Sequence, residues 1–321
     1  MQKLPRLPHT TPRRAKLPDM IQGNRMNAPT RLLAATDLSA SSRHAAQRAA
    51  LLASQSGGSL LLLHVLEAGA LVELRRLLGN KDATMESQIR SQAHDALAQL
   101  ASDINNEYGI NADTDIVQGA VIDSIAAHIE RRGSDLLVVG ARGASYMRQW
   151  LLGATAERLL RKTRQPILFV RQAPHTTAYQ RMLIPVDFSP WSARAIDFAR
   201  QIAPQAEVIL LHASTLPFEG KMRFAGVQDE TILQYRQASR RDALASLQKL
   251  ATQTQLSLDQ WQPVVTQGDP GQNILEQQEE LDVELIVMGK HGAGMTADLL
   301  LGSVTQQVLG QARSDVLVIA R

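Results

Sequence analysis

The sequence predicts two tandem α/β domains, each a doubly wound five-stranded parallel sheet flanked by helices. Three observations carry that prediction. Five segments recur in the same order, at offsets of 148 to 150 residues. The recurring segments are mostly short apolar runs, as in strands buried on both faces. Longer stretches of helical period separate them, which is the alternation of a sheet covered by helices on both sides.

In chain order, residues 31–39 (RLLAATDLS) return as 181–189 (RMLIPVDFS), and 61–65 (LLLHV) return as 209–213 (ILLHA). Residues 117–119 (VQG) match 266–268 (TQG), 135–140 (DLLVVG) match 284–289 (ELIVMG), and 166–170 (PILFV) match 315–319 (DVLVI). Five ordered matches at one spacing mark a duplication. Each copy then reads βαβαβαβαβ. The first strand runs into Asp37 or Asp187. Ser39 and Ser189 stand where an alanine-rich helical stretch begins, and Pro190 adds a first-turn proline, so both are helix N-cap signals. Gly57 and Gly58 close the first helix. Residues 172–180 form a short connector. Residues 214–235, with Pro217, Gly220 and Gly226, have weak periodicity and predict a loop or short helix that could act as a lid. The domains are expected at 30–172 and 180–321.

Of the 321 residues, 44% are apolar, 20% charged and only 4% aromatic, so the core must be aliphatic. No apolar run reaches the ~18 residues of a membrane span, which predicts a soluble chain with no membrane partner. With no cysteine, disulfides, thiolate metal sites and cysteine nucleophiles are excluded, and the composition suits a reducing cytoplasm. The eight histidines show no zinc spacing. The pI of about 9.3 suggests nucleic acid until the charges are located. Residues 1–29 hold Lys3, Arg6, Arg13, Arg14, Lys16 and Arg25 against Asp19, a net of +5, so residues 30–321 sum to −2. The basicity belongs to a proline-rich leader, expected to be disordered, with Met26 as an alternative start; its prolines are incompatible with a transit helix. Arg75-Arg76, Arg131-Arg132 and Arg240-Arg241 fall in helical stretches without interleaved aromatics and read as solvated faces, so no nucleic-acid partner is expected.

The chemistry-bearing pattern follows the fourth strand. Copy two has Gly289 and Gly292, then nine residues, then Gly302 and Ser303; copy one has Gly140 and Gly143, nine residues, then Gly153, Ala154 and Thr155. Glycines directly after a buried strand let backbone approach a ligand closely. The later Gly-Ser precedes the apolar-periodic segment 304–309 and marks a helix N-terminus, where free N–H groups and the dipole favour phosphate. Open α/β sheets bind ligands at strand carboxyl ends near a switch in strand order. Asp187 would face that crevice, towards a ribose hydroxyl or a metal ion on the phosphates, or would cap the following helix; the same choice holds for Asp37. Lys290 and His291 lie inside the loop, facing phosphate or solvent. Neither a Walker A loop nor a dinucleotide-binding fingerprint occurs. His64 and His212, at strand ends, read as satisfied core residues.

On these residues each copy resembles the universal stress protein family, in its tandem form, whose fold is that of the adenine-nucleotide alpha-hydrolase-like proteins. The family's ATP signature, G-x2-G-x9-G-[ST], is matched in full by Gly289, Gly292, Gly302 and Ser303. The resemblance implies ATP, alone or with Mg, as cofactor. It implies that Pro185 and Asp187 line the adenosine side and that Ala213 backbone meets the adenine, with Met288 a further binding residue. Gly289 and Gly292 would wrap ribose and phosphate, and Gly302, Ser303 and Val304 would hold the outer phosphates. In copy one the corresponding residues are Asp37, Val65, Gly140, Gly143, Gly153 and Thr155. Copy one departs from the pattern at Ala154 and at Ala35, which stands where copy two has Pro185, so the stronger site is expected in copy two. The family commonly pairs through its fifth strands, which implies an intramolecular pseudo-dimer here and leaves open a further homodimer. No nucleophile–base arrangement accompanies the phosphate cradle, and phosphoryl transfer needs a positioned base and charge clamp. The expected role is an ATP-binding stress-response or regulatory module, not an enzyme. A slow ATPase or nucleotide-dependent enzyme, and an interaction protein with vestigial sites, are the alternatives.

Overall fold

A computed structural model describes residues 29–67, 69, 83–141, 154–171, 173, 177–214, 219–292 and 301–319. The basic leader, Arg75-Arg76, Gly143 and Gly153 lie outside them. Copy one comprises β1 (Arg31–Thr36), α1 (Ala40–Ser56), β2 (Ser59–Glu67), α2 (Ala83–Tyr108), β3 (Asp113–Gly119), α3 (Val121–Arg132), β4 (Leu136–Gly140), α4 (Ala154–Lys162) and β5 (Ile167–Val170). Copy two comprises β6 (Arg181–Pro185), α5 (Pro190–Ile202), β7 (Glu207–Ser214), α6 (Glu219–Phe224), α7 (Asp229–Gln253), β8 (Trp261–Gln267), α8 (Pro270–Glu280), β9 (Leu285–Gly289), α9 (Ser303–Gln311) and β10 (Asp315–Ile319).

The strand order is β3-β2-β1-β4-β5-β10-β9-β6-β7-β8. Within each copy every neighbouring pair is parallel. At the centre β5 and β10 pair antiparallel, Ile167 with Val318, Leu168 with Leu317 and Phe169 with Val316, so the two sheets run on as one. The fifth-strand pairing expected from the resemblance is thus made inside the chain.

Alternation along the strands feeds two apolar layers. Leu32, Ala34, Leu62 and Val138 face α1, whose small residues Ala45, Ala46, Ala49 and Ala50 let the helix lie close. Leu33, Leu63, Leu137 and Val139 face α3 and α4, with Ile125, Ile129, Leu159 and Leu160. The same division holds in copy two, and each layer continues across the junction. The core is mainly aliphatic, with Phe169, Tyr179 and Phe198 as its buried aromatics among the described residues.

The helix signals work unequally. Ser39 accepts a bond from Ser42 N–H, and Gly57 closes α1 at φ +64°. Ser189 is the N-cap of α5 but its side chain makes no capping bond; Pro190 opens that helix. The weakly periodic stretch holds the short α6, with 215–218 outside the described residues. Arg131, Arg132, Arg240 and Arg241 are exposed on helices. No described helix is long and apolar enough to cross a membrane.

A carboxylate pins the amino ends of the first and fourth strands in each copy. Asp135 accepts from Thr30 N–H at 3.2 Å, Arg31 N–H at 3.0 Å and the Arg31 guanidinium at 2.9 Å. Glu284 accepts from the N–H groups of Gln180 and Arg181. Partial burial pushes the Asp135 carboxyl up, but the Arg31 guanidinium and the two N–H donors outweigh it and leave it below its usual value. A depressed folded-state pKa stabilises the fold above the unfolded pKa and loses that contribution as pH falls. In urea titrations, wild type is expected to exceed Asp135→Asn in stability at pH 6 and to converge on it below the ordinary carboxyl value of 3.8.

The connector is not a free linker. Tyr179 is buried at the junction, with the Arg48 guanidinium 4.2 Å above its ring. The Tyr179 hydroxyl donates to Asp315 Oδ2 at 2.6 Å, and Arg171 N–H donates to Asp315 Oδ1 at 2.7 Å. Arg48 Nε lies 3.7 Å from Asp315 Oδ2, and Arg48 Nη1 donates to Thr177 O at 3.2 Å. Burial, reinforced by the Asp315 charge, raises the Tyr179 phenol well above its usual value, so it remains the donor. The Arg171 guanidinium reaches the Leu309 carbonyl at the end of α9. One network therefore joins copy one, the connector and copy two.

Candidate functional site

In copy two the strand order reverses at β6: β7 lies on one side and β9 on the other. The β6–β9 ladder stops early, pairing only Met182 with Leu285 and Leu183 with Ile286. In copy one, β1 and β4 stay paired from Leu32 to Ala35. Pro185 explains the difference. Glu284 N–H donates to Arg181 O, so alternate residues from 181 present their backbone groups to β9. Pro185 is in that set and has no N–H to give. Beyond it the sheet parts.

A cavity of about 290 Å³ occupies the opening, at the lower end of the range for small-molecule pockets. It brings together all nine residues expected of copy two: Pro185, Asp187, Ala213, Met288, Gly289, Gly292, Gly302, Ser303 and Val304. Its deeper walls are apolar, from Pro185, Leu211, Ile274 and Met288; its rim carries Asp187, the glycine backbone and the start of α9.

The glycines are needed for space. A Cβ on Gly292 would stand 2.9 Å from Asp187 Oδ2, and one on Gly289 would stand 3.0 Å from Trp191 Cβ. Asp187 cannot easily yield, because its Oδ1 accepts from Ser189 N–H at 3.0 Å and from the Ser192 hydroxyl at 2.9 Å. These bonds make an Asx turn, and Phe188 within it has φ +61°. Leu38 repeats this at φ +65° in copy one, beside Asp37. Left-handed backbone at a bulky residue costs about 1–3 kcal/mol and persists only where its surroundings enforce it.

Gly302 is the N-cap of α9, and no side chain caps that helix among the described residues. Gly302 N–H donates to Lys290 O at 3.1 Å and the Thr305 hydroxyl to Gly289 O at 3.1 Å, which fixes the helix start against the end of β9. Its first turn presents N–H groups and the positive end of the dipole to the cavity.

Sequence reasoning missed several members. Trp191, Ser192 and Thr305 line the cavity. His212, read as a core residue, is half-buried and also lines it. Its Nδ1 lies 2.8 Å from Val186 O; a carbonyl only accepts, so Nδ1 carries a proton in this contact. His64 Nδ1 meets Thr36 O in the same way at 2.8 Å. The paired histidines at strand ends were visible in the repeat; the tryptophan gave no such signal.

In copy one, Asp37, Val65, Gly140 and Thr155 are described. Asp37 Oδ1 accepts from Ser39 N–H at 3.1 Å and from its hydroxyl at 2.5 Å, a helix-start role. Gly140 lies against Ser41, where copy two has Gly289 against Trp191. The first turn of α4 carries Glu157, paired with Arg161, while the first turn of α9 has no acidic residue. A carboxylate at that turn opposes a second anion.

Comparison with known sequences agrees with this geometry. A profile of the universal stress protein family matches residues 29–171 and 178–320. The chain belongs to that family. A universal stress protein of Mycolicibacterium smegmatis (strain ATCC 700084 / mc(2)155) is 26% identical over 295 residues, covering 90% of this chain and 96% of the relative. The universal stress protein YxiE of Bacillus subtilis (strain 168) is 27% identical over 146 residues, 44% of this chain and 99% of its own length, so one copy here corresponds to a whole protein there. Among solved structures, a universal stress protein from Archaeoglobus fulgidus DSM 4304 superposes with a TM-score of 0.60 at 22% identity, covering 89% of this chain and 97% of its own, and supports the tandem fold.

Proposed function

We propose that copy two of this universal stress protein binds an adenine nucleotide, ATP alone or with Mg, and that the chain is a nucleotide-dependent stress-response or regulatory module. One observation carries the reading: close-packed glycine backbone, a held carboxylate and an uncapped helix start converge on one cavity at the switch in strand order. The residues fit the ligand. The apolar walls beside Pro185, Ala213 and Met288 suit a base, Asp187 suits a ribose hydroxyl or phosphate-bound metal, and Gly289 and Gly292 admit the sugar and first phosphates. Gly302, Ser303 and Val304 offer N–H groups and a hydroxyl to the outer phosphates.

Copy one is the weaker site. Ala154 lacks the hydroxyl of Ser303, the β1–β4 ladder stays closed, and Glu157 sets a negative charge at the helix start. We take 30–172 and 180–321 as the two domains and read the cysteine-free chain as cytoplasmic. Equilibrium dialysis is expected to find about one tightly bound ATP per chain, and ATP should raise the melting temperature by mass action. Ser303→Ala removes one hydrogen bond worth about 0.5–1.5 kcal/mol, so affinity should fall roughly two- to tenfold. Wild-type protein that neither retains ATP nor shifts its melting temperature would rule the reading out. Phosphate release clearly above background, lost in Ser303→Ala, would instead favour a slow ATPase.

A further inference from the structure

We infer that Trp191 makes the copy-two cavity select a nucleoside phosphate over a bare polyphosphate. The inference rests on the nucleotide reading of that cavity and goes beyond it, to a residue outside the glycine signature.

Trp191 is the second residue of α5, directly after Pro190, and it lines the cavity. Its contact with the glycine loop is tight: a Cβ at Gly289 would stand 3.0 Å from Trp191 Cβ and 3.5 Å from Cγ. Neighbouring Ser192 is bonded to Asp187, so the Asx turn that holds the carboxylate also sets where the indole lies. The Arg194 guanidinium, one turn further on, lies 5.1 Å from the ring centroid and braces it. The duplication supplies the contrast. At the matching place copy one has Ser41, whose hydroxyl and carbonyl lie against Gly140 in place of a ring.

An indole brings a broad, flat, apolar face, and its contribution scales with the apolar area it covers. A sugar and base have such area to cover. A polyphosphate has none, and is held instead by N–H groups and the helix dipole at the start of α9. The ring therefore adds affinity only for the nucleoside part of a ligand, and shields the adjoining backbone contacts from water.

The test is isothermal titration of the full chain with ATP and with inorganic tripolyphosphate, for wild type, Trp191→Ser and Trp191→Phe. Trp191→Ser, the copy-one residue, is expected to weaken ATP by about tenfold while leaving tripolyphosphate within about twofold; Trp191→Phe keeps a ring and should hold ATP within about threefold. Tryptophan emission should change when wild type takes up ATP, and Trp191→Phe should bind without most of that change. This readout stands even if the serine variant folds poorly. Equal losses for both ligands, unchanged ATP affinity in Trp191→Ser, or an emission change retained in Trp191→Phe would overturn the inference and leave the nucleotide site intact. A wild type that binds no ATP would overturn the site itself.

Discussion

Replacing Asp315 by alanine is expected to destabilise the chain by about 3–5 kcal/mol, the usual cost of removing one member of a buried ionic cluster. Asp315 is fully buried and Arg48 nearly so, which leaves no water to take over from the lost partner. Without the carboxylate, Arg48 keeps the Thr177 carbonyl and the face of Tyr179 among the described residues, and the Tyr179 hydroxyl and Arg171 N–H lose their acceptor. The cluster is expected to contribute specificity more than stability. The duplication sets Phe198 opposite Arg48 and Pro166 opposite Asp315, so the same fold accepts apolar residues at those places. The double variant Arg48→Met with Asp315→Leu should therefore recover most of the loss. Guanidinium denaturation of the wild type, both single variants and the double variant measures this. Simple additivity of the single losses would show that the cluster does not act as a unit.

A second large effect is expected at Gly292. Its φ lies outside the left-handed region, so the objection to a side chain there is space alone. Valine would press on Asp187 Oδ2, and Asp187 is held by Ser189 and Ser192. Either the carboxylate turns away or the loop lifts, and both outcomes spoil the cavity rim. Overpacking of this kind costs about 1–3 kcal/mol, so Gly292→Val should weaken ATP by up to about a hundredfold. Because the position lies beyond the carboxyl end of β9 and outside both apolar layers, the far-ultraviolet spectrum should stay near wild type. Undiminished ATP affinity in that variant would show that the Gly292–Asp187 contact is not part of the site.

The fold was legible because its evidence is periodic. Runs such as 60–63 and 285–288 are apolar throughout, and the duplication shows each twice. The glycine frame was legible because spacing survives in a linear string. What escaped depends on contacts between distant residues. Nothing near Asp315 in the sequence announces Arg48 or Tyr179, and an aspartate beginning an apolar strand looks like an exposed end. Pro185 was visible as a departure between the copies, but its effect on the β6–β9 ladder required knowing which way its missing N–H would point. A lone tryptophan in the first turn of a helix reads as core until the neighbouring glycine is located in space. Glu157 gained meaning only once α4 and α9 could be compared as anion-facing helix starts.

The β5–β10 pairing also bears on how the protein avoids aggregation. Every residue of both strands is buried, and an apolar strand left at a sheet margin is a template for further strands. By turning these two margins towards each other, the chain hides its stickiest backbone within itself. The margins that remain are β3 and β8. The first carries Asp113 and Asp115, and the second carries Pro263, residues that discourage strand addition. Duplication has thus given the molecule one long sheet whose two open sides are both guarded.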